Sequence, residues 1–163
     1  MEKNKKLIPG LPTGFEDRWG KKLYLKKELI KLIEENFIKY GFEPLETPSF
    51  EISSNIGSFL ADDDSNPMSD VFTFNDGEKN ITLRYDLSSP LARFVAQNNQ
   101  ELPLPYKRYA IQNVFRNEKA GNARYREFTQ ADCDIVGNAN PSQSNAELCL
   151  SLIHISEPTR RTS

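Results

Sequence analysis

Tyr106 to Glu118 reads YKRYAIQNVFRNE, and Ala123 to Gly137 reads ARYREFTQADCDIVG. Both runs are rich in aromatic and β-branched residues and alternate apolar with polar side chains, the period of a strand. The segment between them, Lys119–Ala123, is short and polar, so the pair is expected to form one long hairpin with a mobile tip. Alternation sends Gln130, Asp132 and Asp134 to one face. Four arginines (Arg108, Arg116, Arg124 and Arg126) share the hairpin with Glu118 and Glu127. Arginine on a strand usually belongs to a solvated, salt-bridged outer surface. Several of them beside acids and an amide admit a second reading, a cradle for a substrate bearing both phosphate and amine. The planar guanidinium fits phosphate oxygens bidentately, and carboxylates with an amide suit an ammonium group.

Outward from this hairpin, the patterns change in both directions. Leu25, Leu29, Leu32, Ile33, Phe37 and Tyr40 recur at three- and four-residue steps and predict an amphipathic helix over residues 21–40, closed by Gly41. FEPLETPSFE (residues 42–51) holds two prolines and predicts a short strand bent or ended at Pro48. Residues 61–70 show no period and read as a loop. VFTFND and NITLRYDL, joined by Asp76-Gly77 turn chemistry, predict a second hairpin. Ser88 or Ser89 is expected to cap a helix with Pro90 in its first turn, and Ser142 or Ser144 a helix over residues 141–155. Residues 1–20 read as an irregular lead-in. The fold class expected is α+β, an antiparallel sheet with helices on one side.

Composition bounds what this fold serves. The 163 residues suit one domain. With 21 Lys and Arg against 23 Asp and Glu, the formal net charge is −2, which argues against wholesale coating of nucleic acid but leaves room for a local basic site. No run approaches the roughly 18 apolar residues of a membrane span, and MEKNKKLIPGLP has no apolar stretch behind its charges, so neither membrane nor secretory signal is expected. Cys133 and Cys149 make no disulfide framework and are expected to be small buried residues in a reducing, cytoplasmic setting. A single histidine, His154, excludes a zinc site built on several imidazoles.

Three ordered segments resemble a known family. Phe115-Arg116-Asn117-Glu118, followed by Arg124-Tyr125-Arg126-Glu127-Phe128-Thr129-Gln130-Ala131-Asp132-Cys133-Asp134, is similar to motif 2 of class II aminoacyl-tRNA synthetases in its histidyl form. Leu83-Arg84-Tyr85-Asp86-Leu87-Ser88 resembles that form's amino-acid-binding segment. Tyr40 to Pro48 resembles motif 1, a helix and strand at the dimer interface. The resemblance implies the class II catalytic core and activation of L-histidine by ATP and Mg²⁺, then transfer to tRNA(His) by a cytoplasmic homodimer joined through the motif 1 region.

It also implies roles, residue by residue. Arg116 would grip the ATP α-phosphate as the catalytic arginine. Glu118, Arg124, Tyr125 and Phe128 would complete the ATP site, with Glu118 at the adenine end, Arg124 on the distal phosphates and Phe128 stacked on the base. Asp86, Ser88 and Gln130 would hold the α-amino group, and Asp134 would accept a hydrogen bond from the imidazole. The bland rivals are a core role for Phe128, a helix cap for Ser88 and a partner for Arg84 in Asp86. No residue is expected to ligate a metal directly.

Departures accompany the match. The tip lacks a second glycine and a proline, and Ser88 stands where threonine is usual. Motif 3, a second histidine-specific segment and the anticodon-binding domain are absent, so residues 1–152 read as the N-terminal part of the catalytic domain, expected to be inactive alone. Residues 153–163 read as a non-native tail resembling translated adapter or vector sequence. The alternative is the synthetase-like regulatory subunit of ATP phosphoribosyltransferase, which keeps this fold without needing to keep the ATP contacts.

Overall fold

The computed structural model describes residues 9–56, 71–122, 124–137 and 140–156, with side chains to residue 153. Among the described residues four helices and six strands follow in the order α1 (Gly20–Lys39), β1 (Glu43–Pro44), β2 (Phe50–Ile52), α2 (Ser53–Ile56), β3 (Thr73–Asn75), β4 (Asn80–Leu83), α3 (Ser88–Asn98), β5 (Tyr106–Phe115), β6 (Glu127–Val136) and α4 (Pro141–Ser156). The expected α+β class holds. The loop expected at residues 61–70 lies outside the described residues.

The centre of the fold is the long hairpin. β5 and β6 pair antiparallel over ten residues each, from Tyr106↔Val136 to Phe115↔Glu127. One face turns Tyr109, Ile111, Cys133 and Ile135 toward the helices, where Phe37, Phe42 and Tyr109 are buried with Ile33, Tyr40 and Leu148 against them. α1 ends as its sequence demands. Gly41 takes φ 76°, its N–H donates to Ile38 O (3.0 Å), and the Phe42 N–H donates to Phe37 O (3.0 Å). These paired bonds satisfy the last carbonyls, and the Phe37 and Phe42 rings meet at 5.9 Å. The core end of α1 and its stop signal are therefore one structure.

The remainder of the expected apolar stripe on α1 does not enter the core. Leu25 and Leu29 are 60% and 53% exposed, and over the sheet the helix presents Lys26 instead, whose Nζ donates to Thr129 Oγ1. Cys149 is also exposed, against expectation, whereas Cys133 is partly buried. Cys149 lies on α4 outside the stripe that meets the sheet.

The segment expected as one bent strand splits between two sheets. β1 joins the hairpin at its edge, parallel to β5, with Glu43 opposite Arg108. Pro44 is tolerated there because an edge strand does not need every N–H. β2 crosses to a second sheet in the order β2-β4-β3, all antiparallel. The β3–β4 turn forms as read: Asn75 Oδ1 accepts from Gly77 N–H, and Asp76 Oδ1 accepts from the Glu78 and Lys79 N–H groups.

Arg84 joins the two sheets. Its N–H donates to Ser49 O and its carbonyl accepts from Phe115 N–H, each at 3.0 Å. Its guanidinium donates to Asn113 O (2.6 Å) and Thr47 O (2.7 Å). A second, half-buried clamp, Arg93 forked onto buried Glu51 at 2.8 and 2.9 Å, fastens α3 to β2.

Both caps read from serine belong to neighbours. Asp86 Oδ1 accepts from Ser89 N–H (3.2 Å) at the start of α3, making Ser88 the first helical residue. Asn140 Oδ1 accepts from Ser142 N–H (3.0 Å) and Gln143 N–H (3.4 Å) at the start of α4, with Pro141 in its first position. Asp and Asn compete well with Ser for these donors, and each stands two residues before the nearer serine. The α4 backbone runs through Ser156, four residues past the boundary read at 152.

Candidate active site

The hairpin face opposite α1 and α4 carries the site. Strand alternation brings Arg108, Ala110, Gln112 and Val114 of β5 to this face, and the register sets them opposite Asp134, Asp132, Gln130 and Phe128 of β6. Leu87, Ala110 and Val114 form a small buried cluster with Phe128 packed on it. It seats the turn before α3 on the sheet, so Asp86 and Ser88 border the same face.

At the tip end, Arg116, Glu118, Arg124, Tyr125 and Phe128 line one open cleft of about 350 Å³. All five expected ATP-site residues thus meet. The ladder continues past the strands through Arg116 N–H to Arg126 O (2.8 Å), and Gly121 and Arg124 exchange two bonds that close the tip. The Arg116 guanidinium lies between two rings, 4.4 Å from the Tyr85 centroid and 5.1 Å from that of Phe128. It therefore covers the ring face expected to stack on a base. Arg124 is ion-paired with Glu118.

The lead-in to α1 is not idle. Arg126 N–H donates to Gly14 O (2.8 Å), and Arg18 Nη2 donates to Glu127 O (2.9 Å). Gly14 takes φ 86°, and a Cβ there would lie 2.7 Å from Arg126 Cγ. Glycine is thus required twice over, by its backbone angle and by the approach of the hairpin. Hydrogen bonding to Glu16 raises the Tyr125 phenol above its ordinary range.

At the other end of the face, Gln130 Oε1 and Asp134 Oδ2 are buried without a hydrogen-bond donor among the described residues. Asp134 Oδ2 is nonetheless ion-paired with Arg108 Nη2 at 2.6 Å. Buried acceptors are normally satisfied, so these two oxygens, four residues apart on one strand face, leave room for a ligand's N–H groups or for water. Burial pushes the Asp134 carboxyl up, Arg108 pulls it down, and Asp132 pushes it up again. Arg108 lies wholly buried beneath these acids. Reading the sequence left it without a role; only the register, which sets it opposite Asp134, could have singled it out.

Two bland alternatives are settled by geometry. Arg84 spends its guanidinium on carbonyls of Asn113 and Thr47, so Asp86 is not held there as its partner. Ser88 is exposed and does not cap α3. Phe128 packs on the small cluster and also lines the cleft, so a core contact and a place at the site go together. Burial raises the Cys133 thiol to about 11, with Asp134 and Asp132 adding to the shift, which makes it a poor nucleophile.

Among the described residues no group of three or more His, Cys, Asp or Glu stands ready to hold a metal ion. Glu118 is the one carboxylate lining the cleft. One carboxylate beside arginines fits a Mg²⁺ that arrives on nucleotide phosphates and keeps most of its ligands from them.

Known proteins bear on this face directly. A histidine–tRNA ligase of Pelagibacter ubique is 81% identical over 149 residues, covering 91% of this chain and 32% of the relative. One from Rhodopseudomonas palustris is 45% identical over 150 residues, covering 91% of this chain and 28% of the relative. This chain therefore spans about a third of the length of the curated relatives it matches. The histidyl-tRNA synthetase of Nostoc sp. PCC 7120 superposes with a TM-score of 0.76 at 27% identity, over 90% of this chain and 33% of that one. An ATP phosphoribosyltransferase regulatory subunit/histidyl-tRNA synthetase from Bacillus halodurans shares the fold, with a TM-score of 0.74 at 23% identity, over 98% of this chain and 40% of that one. Residues 16–152 match the family described as tRNA synthetases class II core domain (F), and the chain belongs to that family.

Proposed function

We propose that this chain is the N-terminal part of the catalytic domain of a histidine–tRNA ligase. The observation that carries the reading is the division of one sheet face. Arginines and Phe128 line a cleft at one end; toward the other lie Gln130 Oε1 and Asp134 Oδ2, buried and without a hydrogen-bond donor among the described residues, the latter ion-paired with Arg108. The first suits a nucleoside triphosphate; the second suits the N–H groups of an ammonium and an imidazole. The 81% identity with a histidine–tRNA ligase supports the same reading.

In the first step a carboxylate oxygen of histidine attacks the α-phosphorus of ATP. A new O–P bond forms as the bond to the bridging oxygen breaks, and pyrophosphate leaves. No proton must move, so fixed positive charge serves this displacement better than a general base. Arg116 leaves its place between Tyr85 and Phe128 to hold the α-phosphate, which uncovers Phe128 for the adenine. Arg124 exchanges Glu118 for the distal phosphates, freeing that carboxylate for the base. Asp86, Ser88 and Gln130 hold the α-amino group, and Asp134 accepts the imidazole N–H. Mg²⁺ bound with ATP supplies further neutralisation of phosphate charge. In the second step a hydroxyl of the terminal ribose of tRNA(His) attacks the carbonyl carbon, a new C–O ester bond forms as the bond to the phosphate oxygen breaks, and AMP leaves with the hydroxyl proton passing to its phosphate.

Three further parts of the proposal concern the whole protein. The exposed Leu25, Leu29 and Leu32 on α1 support a homodimer through this helix and the segment after it. A cytoplasmic setting goes with a tRNA substrate, and no described helix is long and apolar enough to cross a membrane. The family match ends at residue 152, where we place the end of the catalytic segment and the start of a non-native tail. The regulatory-subunit alternative is disfavoured by the cleft, since a histidine sensor has no need of Arg116, Arg124 and Phe128 around one space.

The test is histidine-dependent ATP–pyrophosphate exchange in a full-length chimera, with residues 16–152 of this chain in the Pelagibacter ubique relative. Arg116→Ala is expected to lower exchange at least a hundredfold, the usual scale for removing one group that stabilises transition-state charge. Exchange that persists at the parent rate would remove that role. The 163-residue chain alone is expected to give none.

A further inference from the structure

We infer that Arg108 is a positioning residue that keeps Asp134 ionised beside Asp132, so that Asp134 can act as an acceptor for the amino-acid side chain. The inference rests on the reading of Asp134 given above. Arg108 is 0% exposed, so it cannot touch a substrate and must act through its neighbours. A single nitrogen, Nη2, donates to Leu87 O at 3.1 Å and to Asp132 Oδ2 at 3.2 Å. The same nitrogen lies 2.6 Å from Asp134 Oδ2, close enough for an ion pair. That contact is not aligned as a hydrogen bond, and Oδ2 stays without a donor, as do Nε and Nη1 without acceptors among the described residues.

Two carboxylates at i and i+2 on one strand face stand about 7 Å apart along the backbone. Partly buried, they repel one another, which favours a proton on Asp134. A protonated carboxyl presents a donor where an imidazole N–H needs an acceptor. Arginine stays charged at any relevant pH, so one guanidinium beneath both acids removes most of the drive to share a proton. It leaves one surplus negative charge, which favours a neutral or cationic N–H donor and turns away an acidic side chain. Burial already pushes the Asp134 carboxyl up, and Arg108 is the group that opposes this.

Other ionisable groups border the cluster. Tyr106 shares the β5 face, its phenol pushed up by burial and by Glu43 and pulled down by Arg108. Glu43 of β1 is registered opposite Arg108. Asp86, before α3, is engaged with Ser89 N–H. On α3 itself, Arg93 is paired with Glu51. Across the sheet, Cys133 faces the helices, and Glu147 of α4 is paired with Lys107. None of them supplies a second cation to Asp134.

The experiment is the exchange assay in the full-length chimera from pH 5 to 9, read as KM for histidine and for ATP. Arg108→Met is expected to raise KM for histidine at least tenfold at pH 7 and to leave KM for ATP within twofold. It should also move the acid limb of kcat/KM for histidine up by at least one pH unit. Arg108→Lys, cationic without the fork, should return the limb to within half a unit of the parent. Asp132→Asn removes the competing carboxylate and should move the limb down. Titration of free histidine is common to every variant and cancels in the comparison. An unmoved limb in Arg108→Met, or equal changes in both KM values, overturns the inference. Should Arg108→Met fail to fold, an unmoved limb in Asp132→Asn overturns it instead. Asp134→Ala separates the two layers: equal effects on histidine and ATP defeat the reading of Asp134 itself, whereas a histidine-specific loss beside an unmoved Arg108→Met limb defeats only the role of Arg108.

Discussion

Cys133 illustrates how a single side chain reports its place in this fold. It stands between Asp132 and Asp134 in sequence yet faces the opposite side of the sheet, packed against Phe37, Phe42 and Tyr109. Burial first, and the flanking carboxylates second, raise its thiol from 9.0 to about 11. Two units mean about a hundredfold less thiolate than an ordinary cysteine at the same pH. In the folded protein at pH 8, a thiol reagent is therefore expected to label exposed Cys149 promptly and Cys133 only on unfolding, as peptide mapping after timed quenching would show. Equal labelling would mean that the helix layer does not cover the hairpin. The sign of the linked stability follows. The folded chain keeps a proton that the unfolded chain gives up, so this contribution is present below pH 9 and is lost as pH rises toward 11. Gly14 makes a similar point about residues that look like filler. Its positive φ and its contact with Arg126 join an apparently irregular lead-in to the cleft.

Elements in this chain are joined by arginine more than by apolar area. Arg84 is buried, and desolvation lowers its pKa, yet it draws four backbone groups to one residue, two on β5 and two in the link between β1 and β2. Lysine lacks the fork that reaches two carbonyls at once. In the chimera, Arg84→Met is expected to lower stability by roughly 3 kcal/mol, since two charge-assisted bonds vanish and two buried carbonyls lose a donor. Arg84→Lys should recover less than half of that in the same denaturant titration. A loss under about 1 kcal/mol in Arg84→Met would mean that the sheets hold together without it. The clamp matters beyond stability because Arg84 precedes Tyr85, Asp86 and Ser88. Slack between the sheets would loosen the turn that borders the site and the ring on which Arg116 rests.

The molecule as a whole exposes more apolar surface than its core explains. Leu25 and Leu29 on α1 stand one turn apart and are open to solvent, and Phe50 and Phe74 meet edge to face at 5.6 Å on an uncovered sheet face. Monomeric proteins rarely leave such patches bare. If α1 joins two copies, Leu25→Glu combined with Leu29→Glu should convert the dimeric chimera to monomer at micromolar concentration, read by light scattering with size-exclusion chromatography. The far-ultraviolet spectrum should be unchanged, because these side chains make no core contact. A dimer that survives the double change would move the interface away from this helix.

How much of this was legible beforehand depends on the range of the interaction. The five residues of the cleft were legible only through the resemblance to motif 2. The α1 helix with its Gly41 stop, both hairpins and the α+β class follow from periods of two and 3.6 residues and from turn chemistry. All of these act over neighbouring residues, where backbone geometry leaves few choices. The helix caps lie at least two residues before the serines that the sequence suggests, because Asp86 and Asn140 take the N–H groups at each helix start. Sequence alone could not separate β1 from β2, nor set β1 parallel to β5, since partner choice depends on what stands beside an edge. It also gave Leu25 and Phe37 the same weight, although only Phe37 overlies the sheet. Arg108 was indistinguishable from the surface arginines of its own hairpin. Only the register of β5 on β6, which sets it opposite Asp134 and beneath the face, decided that it is buried between two acids, because burial and charge pairing are properties of residues brought together from afar.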